Sequence, residues 1–199
     1  MKFQGHLWAG MTLAYVLFSG IAAAADGANK LVFENERVTI REVNVAQGAP
    51  LPASATFDVV SIDLSSGKLD YLPKGGPRNA AAAKSILIEL KDAKVAPLPN
   101  ASGYPDAFPR PAVKKVLENA RVVAWDYTWT PGMPPPMHFH TKELVVVFLA
   151  DGTLQSIAPD GEKTDAAHTH GLAKFQSSGR LHTESLVKGM ARAIVIELN

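Results

Sequence analysis

The chain contains no cysteine among its 199 residues. Without thiolates it cannot form a thiolate zinc site, a disulfide scaffold, a thiol nucleophile or a lipid anchor attached through cysteine. These classes of structure and function are therefore excluded from the outset.

A strong excess of charge is also missing, since 20 Lys and Arg residues against 19 Asp and Glu residues leave a formal net charge of +1. The one basic doublet of note, Lys114-Lys115, is too little for a nucleic-acid groove or a patch that binds anionic membranes. We therefore expect no nucleic-acid partner. A chain of this length forms one domain or two small ones and can bury a real core.

Amphipathic helices are scarce as well, and only 80–84 and 112–117 could each form a short helical turn. Short runs rich in Val, Ile and Leu instead alternate with Gly, Pro and Asp, as along 121–129, 144–149 and 191–198. This pattern is typical of antiparallel sandwiches and barrels, so we predict an all-β fold.

The first 25 residues have the features of a signal peptide. Lys2 precedes an apolar stretch over 7–21, and the small residues 22–25 offer a cleavage site before Asp26. An uncleaved membrane anchor is the alternative, because 7–25 approaches the length that spans a bilayer. We expect cleavage, a periplasmic or secreted protein, and no membrane association afterwards.

Part of the chain repeats at an offset of 84 residues. The segment 34–38 matches 118–122, and a second similarity pairs 85–90 with 193–198. Three further positions match at the first offset: Gly48, Pro50 and Pro52 correspond to Gly132, Pro134 and Pro136. A collinear series of this kind indicates an internal duplication.

The two copies differ where chemistry is expected, because Ser54 and Thr56 occupy the positions of His138 and His140. We therefore predict a degenerate, structural first copy and a working second copy. The predicted organisation is a signal peptide (1–25), a degenerate half (26–96), a proline-rich linker (97–112) and a domain that carries the site (113–199). The linker prolines exclude a helix or central strand.

Five histidines follow the predicted signal peptide, all between His138 and His182. In an extended chain the pair His138-Phe-His140 places both imidazoles on one face, because strand side chains alternate with period two. A third imidazole from a later strand, His182, would complete a shell for a divalent metal.

These residues resemble the two motifs of the cupin superfamily, a jelly-roll β-barrel. Gly132, His138 and His140 match the start of the first motif, and Gly152 matches its end. In the second motif Gly171, Gly179 and His182 fall at the family spacing, whereas Ser177 and Leu186 replace its proline and asparagine. The resemblance implies a cupin-type jelly roll with His138, His140 and His182 as metal ligands.

The acidic ligand of the first motif departs from the family pattern. Val145 occupies the family's glutamate position, and Glu143 lies two residues earlier on the same face of a strand. Glu143 is therefore either a fourth metal ligand or a general base, and a three-histidine site remains the alternative.

Two functional classes follow from the resemblance. The first is a metal-dependent enzyme, an oxygenase or related oxidoreductase, that acts on a small organic molecule. The second is a non-catalytic binding or scaffold protein whose metal is structural or absent. Neutral imidazole suits Fe, Mn, Zn, Ni or Cu, and spacing does not choose among them. A homodimer is the assembly that the resemblance suggests.

Two other groups of residues carry weaker expectations. His168 and His170 form a second His-x-His pair, for which we expect solvent exposure outside the barrel. Trp125, Tyr127 and Trp129 alternate along one strand and therefore share a face. We expect core packing for Trp125 and a pocket position for Trp129.

Overall fold

The computed structural model describes residues 29–199, and the predicted signal peptide lies outside them. Every regular element in this part of the chain is a β-strand, which confirms the all-β prediction. Residues 29–199 include no helix that is long and apolar enough to cross a membrane.

Fourteen strands follow one another along the described chain. They are β1 (Asn29–Glu34), β2 (Val38–Asn44), β3 (Asp58–Asp63), β4 (Leu69–Leu72), β5 (Lys84–Leu90), β6 (Val113–Glu118), β7 (Val122–Trp129), β8 (His138–Phe139), β9 (Leu144–Phe148), β10 (Gly152–Ile157), β11 (Lys163–His168), β12 (Ala173–Gln176), β13 (Leu181–Gly189) and β14 (Ala191–Leu198).

The strands form three antiparallel sheets. The first sheet has the order β1-β2-β5-β3-β4 and belongs entirely to the first half of the chain. The second half forms the central sheet, β12-β9-β14-β7-β6, and the closing sheet, β11-β10-β13-β8. Sheets that pack face to face around a shared core agree with the predicted jelly roll.

The central sheet is buried on both faces. Val145, Ile194 and Ile196 point to one face and pack with Ile40 and Ile88 of the first sheet. Their neighbours in the chain point the other way, into a second core shared with the closing sheet. This two-sided burial explains why β9 and β14 are almost continuously apolar rather than alternating. Each large aliphatic side chain buried here contributes about 1.5–3 kcal/mol relative to an exposed one.

The predicted repeat has a counterpart in local structure. In the turn after β1, the Asn35 side chain accepts hydrogen bonds from the backbone N–H groups of Arg37 and Val38. The Asn119 side chain does the same after β6. The strand register also shifts at matching places, between Leu31 and Phe33 in β1 and between Lys115 and Leu117 in β6. The two hairpins are therefore built alike.

The arginine of each repeated turn reaches across to the other half. Arg37 is buried, and its Nε lies 2.8 Å from Glu143 Oε2. Arg121 donates through a terminal nitrogen to the carbonyl oxygens of Leu90 and Lys91. The two halves are thus held by reciprocal polar contacts in addition to their shared apolar core.

The proline-rich segment is extended and lies against β8. The backbone N–H of Phe139 donates to Pro105 O, and the N–H of Ala107 donates to Phe139 O. Farther back, the N–H of Leu98 donates to Thr141 O. These hydrogen bonds position the residues that follow, Phe108 and Arg110, at the edge of the second core.

We expect Ile88→Ala to destabilise the protein by about 2–5 kcal/mol, because the side chain is fully buried between the first and central sheets. Val187→Ala is the control, since Val187 is 49% exposed and its truncation should change stability by less than about 0.5 kcal/mol. Denaturant unfolding of both variants measures the difference. Equal stabilities would show that the first sheet does not share a core with the central one.

Candidate metal centre

Two strands and one short connection bring the three predicted histidines together. His138 in β8 pairs directly with His182 in β13. His140 follows β8, and its backbone N–H donates to Arg180 O while its carbonyl accepts from the N–H of Gly179. The imidazoles therefore sit on adjacent stretches of one sheet and face the second core.

The three imidazoles form one tight, buried cluster. Each residue is at most 7% exposed, and one ligand nitrogen from each lies within 4.8 Å of the other two. His140 Nε2 and His182 Nε2 are 3.1 Å apart. Metal–nitrogen bonds of about 2.0–2.1 Å, at angles between about 90° and 110°, place two ligand atoms about 2.9–3.4 Å apart. The spacing fits a shared metal ion.

In His138 and His182, the hydrogen-bond partner of Nδ1 also favours metal binding through Nε2. His138 Nδ1 lies 2.8 Å from Pro136 O, which can only accept, so Nδ1 carries the proton and Nε2 presents a lone pair. His182 Nδ1 lies 2.9 Å from Ser156 Oγ, which is able to accept in the same way. Partners of this kind set the tautomer and orientation of metal-binding histidines.

Burial keeps the three imidazoles neutral. Desolvation is the main cause and lowers the pKa of His138 to about 4 and that of His182 to about 3. Desolvation also lowers the pKa of His140, assisted by the neighbouring imidazoles. Because only neutral imidazole binds a metal, the cluster is ready to do so at neutral pH.

Glu143 is not part of this cluster. The group of side chains close enough to share a metal contains the three histidines, and the Glu143 carboxylate instead pairs with Arg37. The reason is strand parity: Val145 and Val147, which share a face with position 143, point to the first sheet. The neighbours Leu144 and Val146 point toward the site.

A different carboxylate occupies the site. Glu184 follows His182 by two residues on β13, and its Oε1 lies 3.9 Å from His182 Nε2. Its Oε2 accepts a hydrogen bond of 3.1 Å from Trp129 Nε1. Glu184 was not among the site residues predicted from the sequence, although period-two alternation from His182 along β13 places it on the same face.

Two arginines also reach the imidazoles. Arg180 Nη2 lies 3.2 Å from His182 Nδ1, and Arg110 Nη1 lies 3.2 Å from His138 Nε2. Arg110 comes from the proline-rich segment, 28 residues before His138. No motif links it to the histidines, so only the folded chain brings it to the site.

Aromatic side chains form the walls beside the imidazoles. Trp125, Tyr127 and Trp129 all face this side of the central sheet, and Trp129 lines the cavity as predicted. Trp125 packs face to face with Phe108, and its Nε1 donates to Glu197 Oε2. These rings shield the cluster from solvent.

The two histidines of the second His-x-His pair lie in different environments. The expectation of exposure is wrong for His168, which is 7% exposed and stacks on Phe148 with ring centroids 3.9 Å apart. His168 is the last residue of β11 and lines the cavity. His170 is exposed and lies near Leu64 O of the first half. Because the strand ends at His168, the alternation of side chains does not extend to His170.

We expect His138→Ala, His140→Ala and His182→Ala each to abolish tight metal binding, because each removes one of three ligands. Ser156→Ala should weaken binding by only about 10–100-fold, since it removes the partner of a ligand. The control, His170→Ala, should bind as the unaltered protein does. Competition with a chromophoric chelator measures all five. Loss of binding in the His170 variant with retention in the His182 variant would place the metal elsewhere.

Acid should destabilise the metal-free protein through these same groups. In the unfolded chain an imidazole takes up a proton below pH 6.5, whereas in the folded chain the pKa of His138 is about 4. The unfolded state thus binds more protons as the pH falls from 6.5 toward 4, and stability declines over that window. Denaturant unfolding at a series of pH values should show a shallower decline for His138→Gln than for His170→Gln. Parallel curves would contradict the burial of a neutral His138.

No protein-family model matches the chain. Among curated proteins it is similar to "Beta-alanine degradation protein BauB" of Pseudomonas aeruginosa, with 33% identity over 94 residues, which is 47% of this chain and 92% of that protein.

Solved structures show the same fold. The Cupin 2 conserved barrel domain protein from Leptotrichia buccalis matches with a TM-score of 0.50 and 10% identity, over 86% of this chain and 88% of that one. A cupin domain from Bordetella pertussis matches 46% of this chain and 97% of its own, with 23% identity and a TM-score of 0.41. Because 92% of that relative is matched at 33% identity, the chain belongs to the same family as the BauB protein, and its fold is that of the cupin barrels.

Proposed function

We propose that the protein is a metal-dependent cupin enzyme, an oxygenase or related oxidoreductase, that acts on a small organic molecule. The observation that carries this proposal is the cluster of three buried, neutral imidazoles whose nitrogen atoms converge beside a cavity. Fe, Mn, Zn, Ni and Cu all suit such ligands, and the proposed reaction favours a redox-active member of that group. A divalent metal held by three side chains supplies open coordination positions for substrate and for oxygen or water.

The surrounding residues have defined roles in this proposal. Trp129 holds one oxygen of Glu184 by a hydrogen bond, which leaves the other oxygen available to take a proton from a bound substrate. Glu184 therefore replaces Glu143 as the proposed general base. Phe148 and Trp129 form apolar walls that exclude bulk water from the reacting groups.

The named relative supports a small substrate. Its name assigns it to β-alanine degradation, and β-alanine is a small organic molecule. We further propose that the protein is exported after cleavage near residue 25 and that it acts as a homodimer. These two proposals rest on the sequence of the first 25 residues and on the family resemblance, respectively.

A non-catalytic binding protein is the second candidate. One observation favours it. Val145 occupies the position of the acidic ligand in the cupin motif, and Glu143 forms an ion pair with Arg37 where the two halves of the chain meet. A metal with three protein ligands would then anchor a ligand or stabilise the closing sheet without turnover.

The number of open coordination positions separates a metal that can bind substrate from a purely structural metal. We expect the Mn(II)-loaded protein to bind one metal ion per chain and to keep at least one rapidly exchanging water on it. Water-proton relaxation measures that exchange, with His140→Ala as the variant that should lose the metal and His170→Ala as its matched control. Tightly bound Mn(II) without exchangeable water would contradict an enzyme and support a structural metal.

A further inference from the structure

Two guanidinium groups beside the imidazoles lack the partner that arginine usually has. Among the described residues, neither Arg110 nor Arg180 has a carboxylate oxygen within 4.0 Å. By contrast, Arg37, Arg121 and Arg192 each have one, and Arg192 holds Asp126 through two nitrogen atoms. Arg41 and Arg78 also lack a carboxylate partner among the described residues, so what distinguishes Arg110 and Arg180 is their position beside the three imidazoles.

Arg110 is held in place by rings rather than by an opposite charge. Its guanidinium lies 4.2 Å from the ring centroid of Tyr127 and 4.9 Å from that of Phe108. Its Nε is buried and has no hydrogen-bond partner. A buried donor without an acceptor is costly, so this nitrogen atom is available to a ligand.

Arg180, the residue before β13, offers a second donor. One terminal nitrogen donates to Gln176 Oε1, and the other lies against the ring of His182. Burial lowers the pKa of both guanidinium groups, and the charge of Glu184 works against that effect. With neutral imidazoles, two guanidinium cations and one carboxylate leave a single uncompensated positive charge.

We propose that Arg110 and Arg180 bind the carboxylate group of the substrate, so that the site selects small organic monocarboxylates. The inference rests on the proposed function only for placing this ligand next to a metal. A guanidinium fork matches the two oxygens of a carboxylate, and in the metal-free protein one bound monoanion neutralises the enclosed charge.

The shape of the site agrees with this substrate class. The cavity beside the imidazoles has a volume of about 40 Å³ and is lined by both Arg110 and Glu184. At about 10–15 Å³ for each water-sized group it has room for about three of them, which is the size of a carboxylate. Arg110 also lines an outer pocket of about 180 Å³ with Met133 and Pro134, where the rest of the substrate fits.

Propionate and its neutral analogue propionamide test the proposal on chelator-treated, metal-free protein. We expect propionate to raise the melting temperature and to bind more tightly than propionamide. Arg110→Gln and Arg180→Gln should each weaken propionate binding by at least about tenfold, the usual effect of losing a hydrogen bond to a charged group. Arg192→Gln is the matched control and should bind propionate as the unaltered protein does.

A measurement on the unaltered protein covers the case in which a variant does not fold. Nuclear magnetic resonance signals of the arginine Nε–H groups should shift for the two site arginines on addition of propionate, while that of Arg192 stays fixed. Equal binding of propionate and propionamide, or equal binding of inorganic sulfate, would overturn the proposal. If the unaltered protein binds propionate but takes up no added divalent metal, this inference is supported and the proposed function is contradicted.

Discussion

The structure depends on the burial of the central sheet between two others. Its middle strands, β9, β14 and β7, are largely apolar on both faces, so neither face can be left in water without a large loss of stability. The first sheet covers one face with Ile40, Ile88 and their neighbours. The other face is therefore free to form the wall of a barrel whose interior holds the site. The segment 26–96, which contains no histidine, thereby supports the segment 113–199 that contains the site.

The ion pair between Arg37 and Glu143 follows from the same arrangement. The side-chain parity of β9 sends one set of residues toward the first sheet, and Glu143 belongs to that set. A carboxylate next to the histidine motif thus becomes a contact between halves. The carboxylate that does reach the site, Glu184, comes from β13 together with His182.

The electrostatics of the site come from three segments that are distant in sequence. The imidazoles from β8, β13 and the connection after β8 are neutral because they are buried. Arg110 enters from the proline-rich segment and Arg180 from the residue before β13, and both bring charge into a partly buried region. Three neutral ligands beside two cations favour the joint binding of a metal and an anion, because the negative charge of the anion offsets the positive charges of the metal and the two arginines.

Local sequence patterns were enough to predict the all-β fold, the shared face of His138 and His140, and the pocket position of Trp129, whereas the resemblance to the cupin motifs added His182. Period-two alternation and short-range spacing determine such features, because they depend on how a strand places consecutive side chains. Tertiary structure alone decided the rest. Glu143 turned to Arg37, His168 became buried against Phe148, and Arg110 reached His138 from 28 residues away. Each of these outcomes depends on which sheet covers a given face, and that is settled by packing between elements far apart in the chain.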